Sequence, residues 1–142
     1  MTTTHTSHDS ALLTMQLGED FPEIRESVRR VCADFPDTYW RAKDDAHGYP
    51  TEFIDALTQA GFLAALIPEE YGGTGMPLRA AAVIMEEVCA SGCHAAAGHA
   101  QMYIMGTLLR HGSEAQKRKY LPKIATGELR LQIGRHTSEL QS

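Results

Sequence analysis

Cysteine is scarce in this sequence, and its spacing excludes the common cysteine-based architectures. The 142 residues contain only Cys32, Cys89 and Cys93, with no Cys-x-x-Cys pair. An odd number of unpaired cysteines argues against a disulfide framework, and the nearby His94 and His99 complete no standard zinc pattern. We therefore expect buried free cysteines that pack as small apolar groups, in a reducing, cytoplasmic setting.

The sequence also lacks a basic excess and a long apolar run. Its 13 Lys and Arg against 18 Asp and Glu give a formal net charge of -5, and the scattered basic residues are not typical of a nucleic-acid-binding surface. The stretch at 95–109 comes closest to a membrane span, but His99 and Gln101 interrupt it and Arg110 ends it. Residues 1–19 contain no signal peptide pattern and are predicted to form a flexible tail.

What the sequence does contain is helical periodicity, interrupted by prolines and glycines. The predicted helices cover residues 22–35, 51–60, 77–90, 95–111 and 114–126. Residues 39–48 either extend the first helix or form a connector, and residues 62–67 form either a buried strand or a buried extended segment. We therefore predict an all-α fold, a bundle of about five helices with the fourth in the centre.

Local features refine these helices. Thr51 is assigned as the N-cap of the second helix, Ser113 and Gln116 form a capping-box pair for the fifth, and Pro122 is expected to break or restart the fifth. Glu86 and Glu87 are expected to be solvated. The apolar face of the third helix is predicted to consist of Leu78, Ala81, Ala82, Met85, Val88 and Cys89.

The fourth helix has no charged residue before Arg110. A helix that is apolar on all sides is normally surrounded by others. Gly98 and Gly106 weaken it intrinsically, but they permit close approach of a neighbouring backbone or a ligand.

The glycine-rich stretch at 72–75 invites a phosphate-loop interpretation. A Walker loop needs Lys and then Ser or Thr after its last glycine, whereas Met76 and Pro77 follow here. We therefore favour a structural turn.

The adjacent pairs Glu69-Glu70 and Glu86-Glu87 do not form acid–base dyads, because neighbouring helical side chains point in different directions. Composition and spacing alone identify no catalytic residue.

Longer blocks stand in a fixed order between residues 20 and 132. Tyr-Trp-Arg at 39–41 precedes Tyr-Pro at 49–50, and Ala-Gly-Phe-Leu at 60–63 precedes Pro-Glu-Glu-Tyr-Gly-Gly at 68–73. Further along are Glu-Glu-Val at 86–88, Gly-Ser-Glu-Ala-Gln-Lys at 112–117, Tyr-Leu-Pro at 120–122 and Ala-Thr-Gly-Glu at 125–128. The ordered set resembles the N-terminal helical domain of the acyl-CoA dehydrogenases.

That resemblance implies an activity for the family as a whole. Its members oxidise acyl-CoA thioesters to 2,3-enoyl-CoA. A carboxylate base removes the proton next to the carbonyl, and FAD accepts hydride from the next carbon. Full-length members add a middle β domain and a C-terminal helical bundle. Most are homotetramers, and many pass electrons to an electron-transfer flavoprotein.

Residues 133–142 do not resemble the family's continuation into its β domain. We therefore divide the chain into a tail at 1–19, the helical domain at 20–132 and a non-family tail at 133–142. We expect a fragment that is truncated before the β domain and is inactive by itself. It should not bind FAD tightly, and it should self-associate through an exposed apolar patch. The alternative is a non-catalytic helical interaction module derived from the family.

The resemblance also implies one wall of an acyl pocket. Aligning backwards from Gly112 places Ala95, Ala96, His99 and Tyr103 at the positions where the family's central helix lines the acyl chain. The two alanines would admit the chain, and His99 and Tyr103 would limit its depth. The alternative is that His99 and Tyr103 are packed core residues. No catalytic, cofactor-binding or metal-ligating residue is assigned.

Overall fold

Six α-helices and two short 3-10 turns form the part of the chain that the computed structural model describes, residues 20–130. The helices are α1 (Pro22–Ala33), α2 (Asp37–Asp45), α3 (Thr51–Gln59), α4 (Leu78–Ala90), α5 (Ala96–His111) and α6 (Glu114–Ala125). The 3-10 turns, Phe62–Ala64 and Glu69–Tyr71, lie between α3 and α4, and no strand occurs between residues 20 and 130. The all-α prediction is confirmed. The predicted tails at 1–19 and 133–142 lie outside the described residues.

The additional helix is α2, in the segment that we expected to extend the first helix or to form a connector. Pro36 occupies the N-cap position of α2 with φ -70° and ψ 171°. Its ring prevents α1 from continuing. Asp37 then places an acidic group in the first turn of α2, where the helix dipole favours negative charge.

The prediction of a strand or extended segment at 62–67 is wrong. Gly61 reverses the chain after α3 with φ +80°, a conformation that glycine adopts without a Cβ clash. The N–H of Ala64 then donates to the Gly61 carbonyl over 3.1 Å. Leu63, Ala64, Ala65 and Ile67 are all buried. A short apolar run of this kind does not reveal its conformation through periodicity.

Only part of the predicted capping and helix-breaking pattern occurs in the structure. The Ser113 side chain accepts from the Gln116 N–H over 3.3 Å, and the Gln116 side chain accepts from the Ser113 N–H over 2.8 Å, so the capping box is confirmed. Thr51 is instead the first residue of α3, after Pro50 at the N-cap. Pro122 lies inside an uninterrupted α6, so the expected break is wrong. It removes one backbone donor, and the buried neighbours Leu121 and Ile124 hold the last turns in place.

The core lies where α1, α3, α4 and α5 meet. α1 packs along α4, and α5 contacts α3, α4, α6 and the first 3-10 turn. The largest fully buried side chains are Phe53, Ile54, Leu57, Ile67, Ile84, Met105, Leu121, Val28, Val83 and Val88. α2 has no buried residue, and it attaches through edge-to-face ring contacts of Tyr39 and Trp40 with Phe35 and Phe53 at centroid distances of 5.0–5.1 Å.

The buried face of α4 is rotated from the predicted one. Ala81 and Val88 are buried as expected, but Leu78 is 74% exposed and Cys89 is also exposed. The residues that α4 buries are Ala80, Ala81, Val83, Ile84, Glu87 and Val88. α4 carries apolar residues on more than one stripe, so the sequence pattern did not define which stripe faces the core. The exposed Cys89 also corrects the expectation that all three cysteines are buried.

Candidate functional site

The candidate site lies on α5, which begins at Ala96 and ends before Gly112. Only one side of this helix is buried, through Gly98, Gln101, Met102 and Met105. The expectation of a helix surrounded on all sides is therefore wrong for the described part of the chain. The other side of α5 is open.

Three of the four predicted pocket residues lie together on that open side. Ala96, His99 and Tyr103 are all exposed, and spacings of three and four residues place them on one helix face. The rise of an α-helix spreads them over about 10 Å. We call Ala96, His99 and Tyr103 the α5 stripe. Ala95 precedes the helix, half-buried and packed against the core, so the structure does not place it on this stripe.

The alternative interpretation of His99 and Tyr103 as packed core residues does not agree with the structure. Tyr103 is 55% exposed and His99 is also exposed. Thr107 and Arg110 continue the same face and are exposed. Neither residue belongs to the predicted pocket, although their spacing from Tyr103 could have identified them.

The face of α5 that carries the stripe offers open space and no carboxylate. The Thr107 hydroxyl donates to the Tyr103 carbonyl over 3.0 Å, which occupies its proton. A Cβ placed on Gly106 would meet nothing within 4 Å, so space is open beside the stripe. α5 contains no carboxylate side chain. This face can therefore contact an apolar chain, but it offers no strong base for proton abstraction.

Gly98 lies on the opposite, buried side of α5. A Cβ at this position would lie 3.4 Å from Met85 Cε and 3.6 Å from Leu63 Cδ2, which is ordinary packing distance. The expected close approach at Gly98 therefore involves side chains of the core, and Gly98 does not open toward the stripe.

The glycine-rich loop at 72–75 is a structural turn. The N–H groups of Gly73 and Gly75 donate to the Pro68 and Ile67 carbonyls over 3.2 and 2.8 Å, and the Met76 N–H donates to Ala65 over 2.7 Å. A Cβ on Gly73 would lie 2.0 Å from the Ile67 carbonyl oxygen, so only glycine fits there. Because these donors already have partners, the loop does not fit the pyrophosphate of a flavin cofactor.

Glu87 is a buried carboxylate, so the prediction that it is solvated is wrong. Its side chain is 7% exposed and accepts from Arg29 Nε over 2.7 Å and from Arg25 Nη1 over 3.2 Å. Glu86 contacts Arg25 over 2.7 Å and also Arg79. The hydrogen bond from Arg29 and the further one from Arg25 lower the pKa of the Glu87 carboxyl. This cluster joins α1 to α4 and leaves no free acid–base pair.

A groove of about 620 Å³ lies between α2 and the turn before α5. Its lining residues are Trp40, Arg41, Lys43, Asp44, His47, Gly48, Pro50, Gly92, Cys93 and His94. Lys43 pairs with Glu52 over 2.7 Å, and the Trp40 ring N–H donates to the Phe35 carbonyl over 3.0 Å. None of the predicted pocket residues lines this groove.

The described residues contain no group of three His, Cys, Asp or Glu side chains that could hold a metal ion. Within the same residues, no helix combines the length and the apolar character that crossing a membrane requires.

A known protein family matches most of the chain. The model of the family described as "Acyl-CoA dehydrogenase, N-terminal domain" matches residues 18–128.

Individual proteins give the same result. Glutaryl-CoA dehydrogenase of Desulfococcus multivorans is 36% identical over 111 residues, covering 75% of this chain and 28% of that protein. Acyl-CoA dehydrogenase fadE12 of Mycobacterium tuberculosis is 31% identical over 112 residues, covering 78% of this chain and 29% of that protein. The chain thus spans less than a third of the length of these relatives.

A similar fold occurs in a chain from the structural study "Electron transferring flavoprotein of Acidaminococcus fermentans: Towards a mechanism of flavin-based electron bifurcation". That match has a TM-score of 0.65 and 29% sequence identity. It covers 77% of this chain and 29% of the matched chain.

Proposed function

Because this chain belongs to the acyl-CoA dehydrogenase family through the N-terminal domain at residues 18–128, we propose that it acts as that domain of an FAD-dependent acyl-CoA dehydrogenase. The proposed reaction is the 2,3-dehydrogenation of an acyl-CoA thioester. The chain spans 28–29% of its relatives' length. We therefore assign the base and the flavin contacts to the other domains of such an enzyme.

The observation that carries the proposal is the exposed α5 stripe. Its residues stand side by side on an open helix face with no carboxylate. The methyl group of Ala96 leaves room for an acyl chain, whereas His99 and Tyr103 are bulky and would limit its depth. Ala95 stands at the edge of this wall, half-buried, and contributes the least surface.

FAD and the electron acceptor belong to the same proposal. The donors of the glycine-rich loop are occupied, so we do not assign the flavin to residues 20–130. When bound elsewhere in the enzyme, FAD would accept the hydride. We propose an electron-transfer flavoprotein as the acceptor, supported by the similarity to a chain from a study of such a flavoprotein.

The exposed large hydrophobic residues Met76, Leu78 and Tyr103 support a further expectation. In a complete enzyme, other domains would cover part of this surface. Prepared alone, the chain is expected to self-associate. Sedimentation velocity should then show a sedimentation coefficient that rises with concentration, and a constant monomer value would contradict this expectation.

A domain exchange tests the proposed function. Residues 20–128 would replace the matching segment of the Desulfococcus multivorans glutaryl-CoA dehydrogenase. As a control, the same exchange would use the matching segment of Mycobacterium tuberculosis fadE12. Both chimeras are expected to retain FAD and to oxidise at least one acyl-CoA of a short, branched and long panel, with an artificial electron acceptor.

The control separates incompatible domains from a wrong proposal. An active control beside a folded, flavin-loaded but inactive test chimera would contradict the proposal. That result would favour the non-catalytic interaction module.

A further inference from the structure

Two buried cysteines lie close together where the end of α1 contacts the turn that leads into α5. Cys32 lies in the last turn of α1, and Cys93 lies between α4 and α5. Their residues are 4% and 6% exposed. The Cys93 sulfur lies 3.8 Å from the carbonyl oxygen of Cys32 and 4.0 Å from that of Phe35. The Cys93 thiol therefore contacts the backbone of a residue 61 positions away in the sequence.

The proximity of Cys93 also affects the ionisation of Cys32. Burial is the main cause that raises the pKa of Cys32 to about 12, and the nearby Cys93 raises it further. Because the Cys93 sulfur already contacts the backbone of Cys32, rotation about the side-chain bonds of the two residues is the movement that a disulfide requires.

Access to the pair is asymmetric. Cys93 lines the groove of about 620 Å³ together with Trp40 and His94, whereas Cys32 is not among the lining residues. Cys93 is therefore the member of the pair that a small reagent in the groove can approach. Cys89 is exposed on α4 and does not line the groove.

We propose that Cys32 and Cys93 form a reversible intramolecular disulfide by exchange with a small disulfide such as oxidised glutathione. The Cys93 thiolate attacks one glutathione sulfur, which forms a mixed disulfide and releases one glutathione thiolate. The Cys32 sulfur then loses its proton, attacks the Cys93 sulfur and releases the second glutathione. The protein loses two hydrogen atoms, and one oxidised glutathione becomes two thiols.

The bond would tie α1 to the entrance of α5, the helix that carries the α5 stripe. It closes a long loop, which restricts the unfolded chain and raises stability. Since Cys32 ionises only at high pH, the second step is expected to be slow near neutrality.

The test uses the full chain with Cys89→Ser, which removes the exposed thiol and prevents intermolecular pairing through it. The protein is incubated with oxidised glutathione at about pH 8.5, unfolded in iodoacetamide and analysed by mass spectrometry. We expect a monomer about 2 Da lighter than the reduced protein, without alkylation. A non-reduced tryptic digest should contain peptides 31–41 and 80–110 linked to each other.

Two further variants make the result decisive. Adding Cys32→Ser to Cys89→Ser should stop the reaction at the Cys93–glutathione adduct, and adding Cys93→Ser should leave Cys32 free. The thermal midpoint should rise by about 5–10 °C on oxidation only in the variant that keeps both cysteines. Two alkylated cysteines after oxidation, or a glutathione adduct that persists although Cys32 is present, would overturn the proposal. Circular dichroism establishes that each variant is folded.

Discussion

At the scale of single residues, Glu87 is the clearest example of a side chain whose role depends on distant partners. It is buried on α4, where it accepts hydrogen bonds from Arg25 and Arg29 of α1. A buried carboxylate is unfavourable unless cations and donors surround it. The two arginines lie one helical turn apart and supply both. The contact thus connects α1 to α4 at a defined register.

Glu87→Gln should lower the free energy of unfolding by about 1–3 kcal/mol, because a charged acceptor of two guanidinium groups becomes neutral. Glu86→Gln is the matched control. Its side chain is 44% exposed, so its loss should cost less than about 1 kcal/mol. Urea unfolding of the three proteins measures both values. Equal losses for the two variants would show that the burial of Glu87 is energetically irrelevant.

The pH dependence of the same variant has a defined sign. The arginines lower the pKa of Glu87 in the folded state. Its contribution is therefore fully present above the unfolded pKa, about 4.3, and is lost as the pH falls through the folded value. The stability difference between the wild type and Glu87→Gln should be constant near pH 7 and should shrink below about pH 4. A difference that grows on acidification would contradict this assignment.

The limits of prediction at this scale are physical. The spacing of Ala96, His99 and Tyr103 could be read from the sequence, since one helix sets it. The burial of Glu87 could not, because it depends on arginines about 60 positions away. The exposure of Cys89 could not be predicted for the same reason, because the packing of α1 on α4 decides which stripe of α4 is covered.

At the scale of helices and turns, the sequence was sufficient for prediction where the interacting residues are close together in the chain. The capping box of Ser113 and Gln116 was predictable because three residues separate its members. Sequence did not predict that α6 continues beyond Pro122 or that a 3-10 turn follows Gly61, because tertiary packing stabilises both features. In each case the buried neighbours, such as Leu121 and Leu63, decide the conformation.

Ser113→Ala should destabilise the domain by about 1 kcal/mol, because the Gln116 N–H at the start of α6 loses its acceptor. Ser113→Thr is the matched control and should retain most of the stability, since threonine offers the same oxygen. Thermal unfolding followed by circular dichroism compares the three proteins. A Ser113→Ala protein as stable as the wild type would show that the cap does not stabilise α6.

At the scale of the whole molecule, the all-α class was predictable because helical periodicity runs through most of the chain. The exposure of one side of α5 was not predictable, because an apolar helix buried within one chain and a helix at a domain boundary have the same composition. The open side of α5 is the feature that connects this fold to the proposed role in a larger enzyme.

The 142-residue chain by itself is not expected to retain FAD, because the backbone donors of its glycine-rich loop already bond to carbonyl groups. Purified protein would be mixed with FAD, passed through a desalting column and examined by visible absorbance. The Desulfococcus multivorans glutaryl-CoA dehydrogenase, treated identically, is the positive control. About one flavin per chain in the test sample would show that this domain holds the cofactor by itself.

The central claim, that the α5 stripe forms a wall of the acyl pocket, is tested most directly by Tyr103→Ala in the active chimera. Tyr120→Ala removes the same side chain from α6 and is the matched control. The measurement is kcat/KM across acyl-CoAs of increasing chain length. Removing Tyr103 should raise the ratio of long-chain to short-chain kcat/KM about tenfold, whereas Tyr120→Ala should leave the ratio unchanged. An unchanged ratio in Tyr103→Ala, or equal changes in both variants, would contradict the claim.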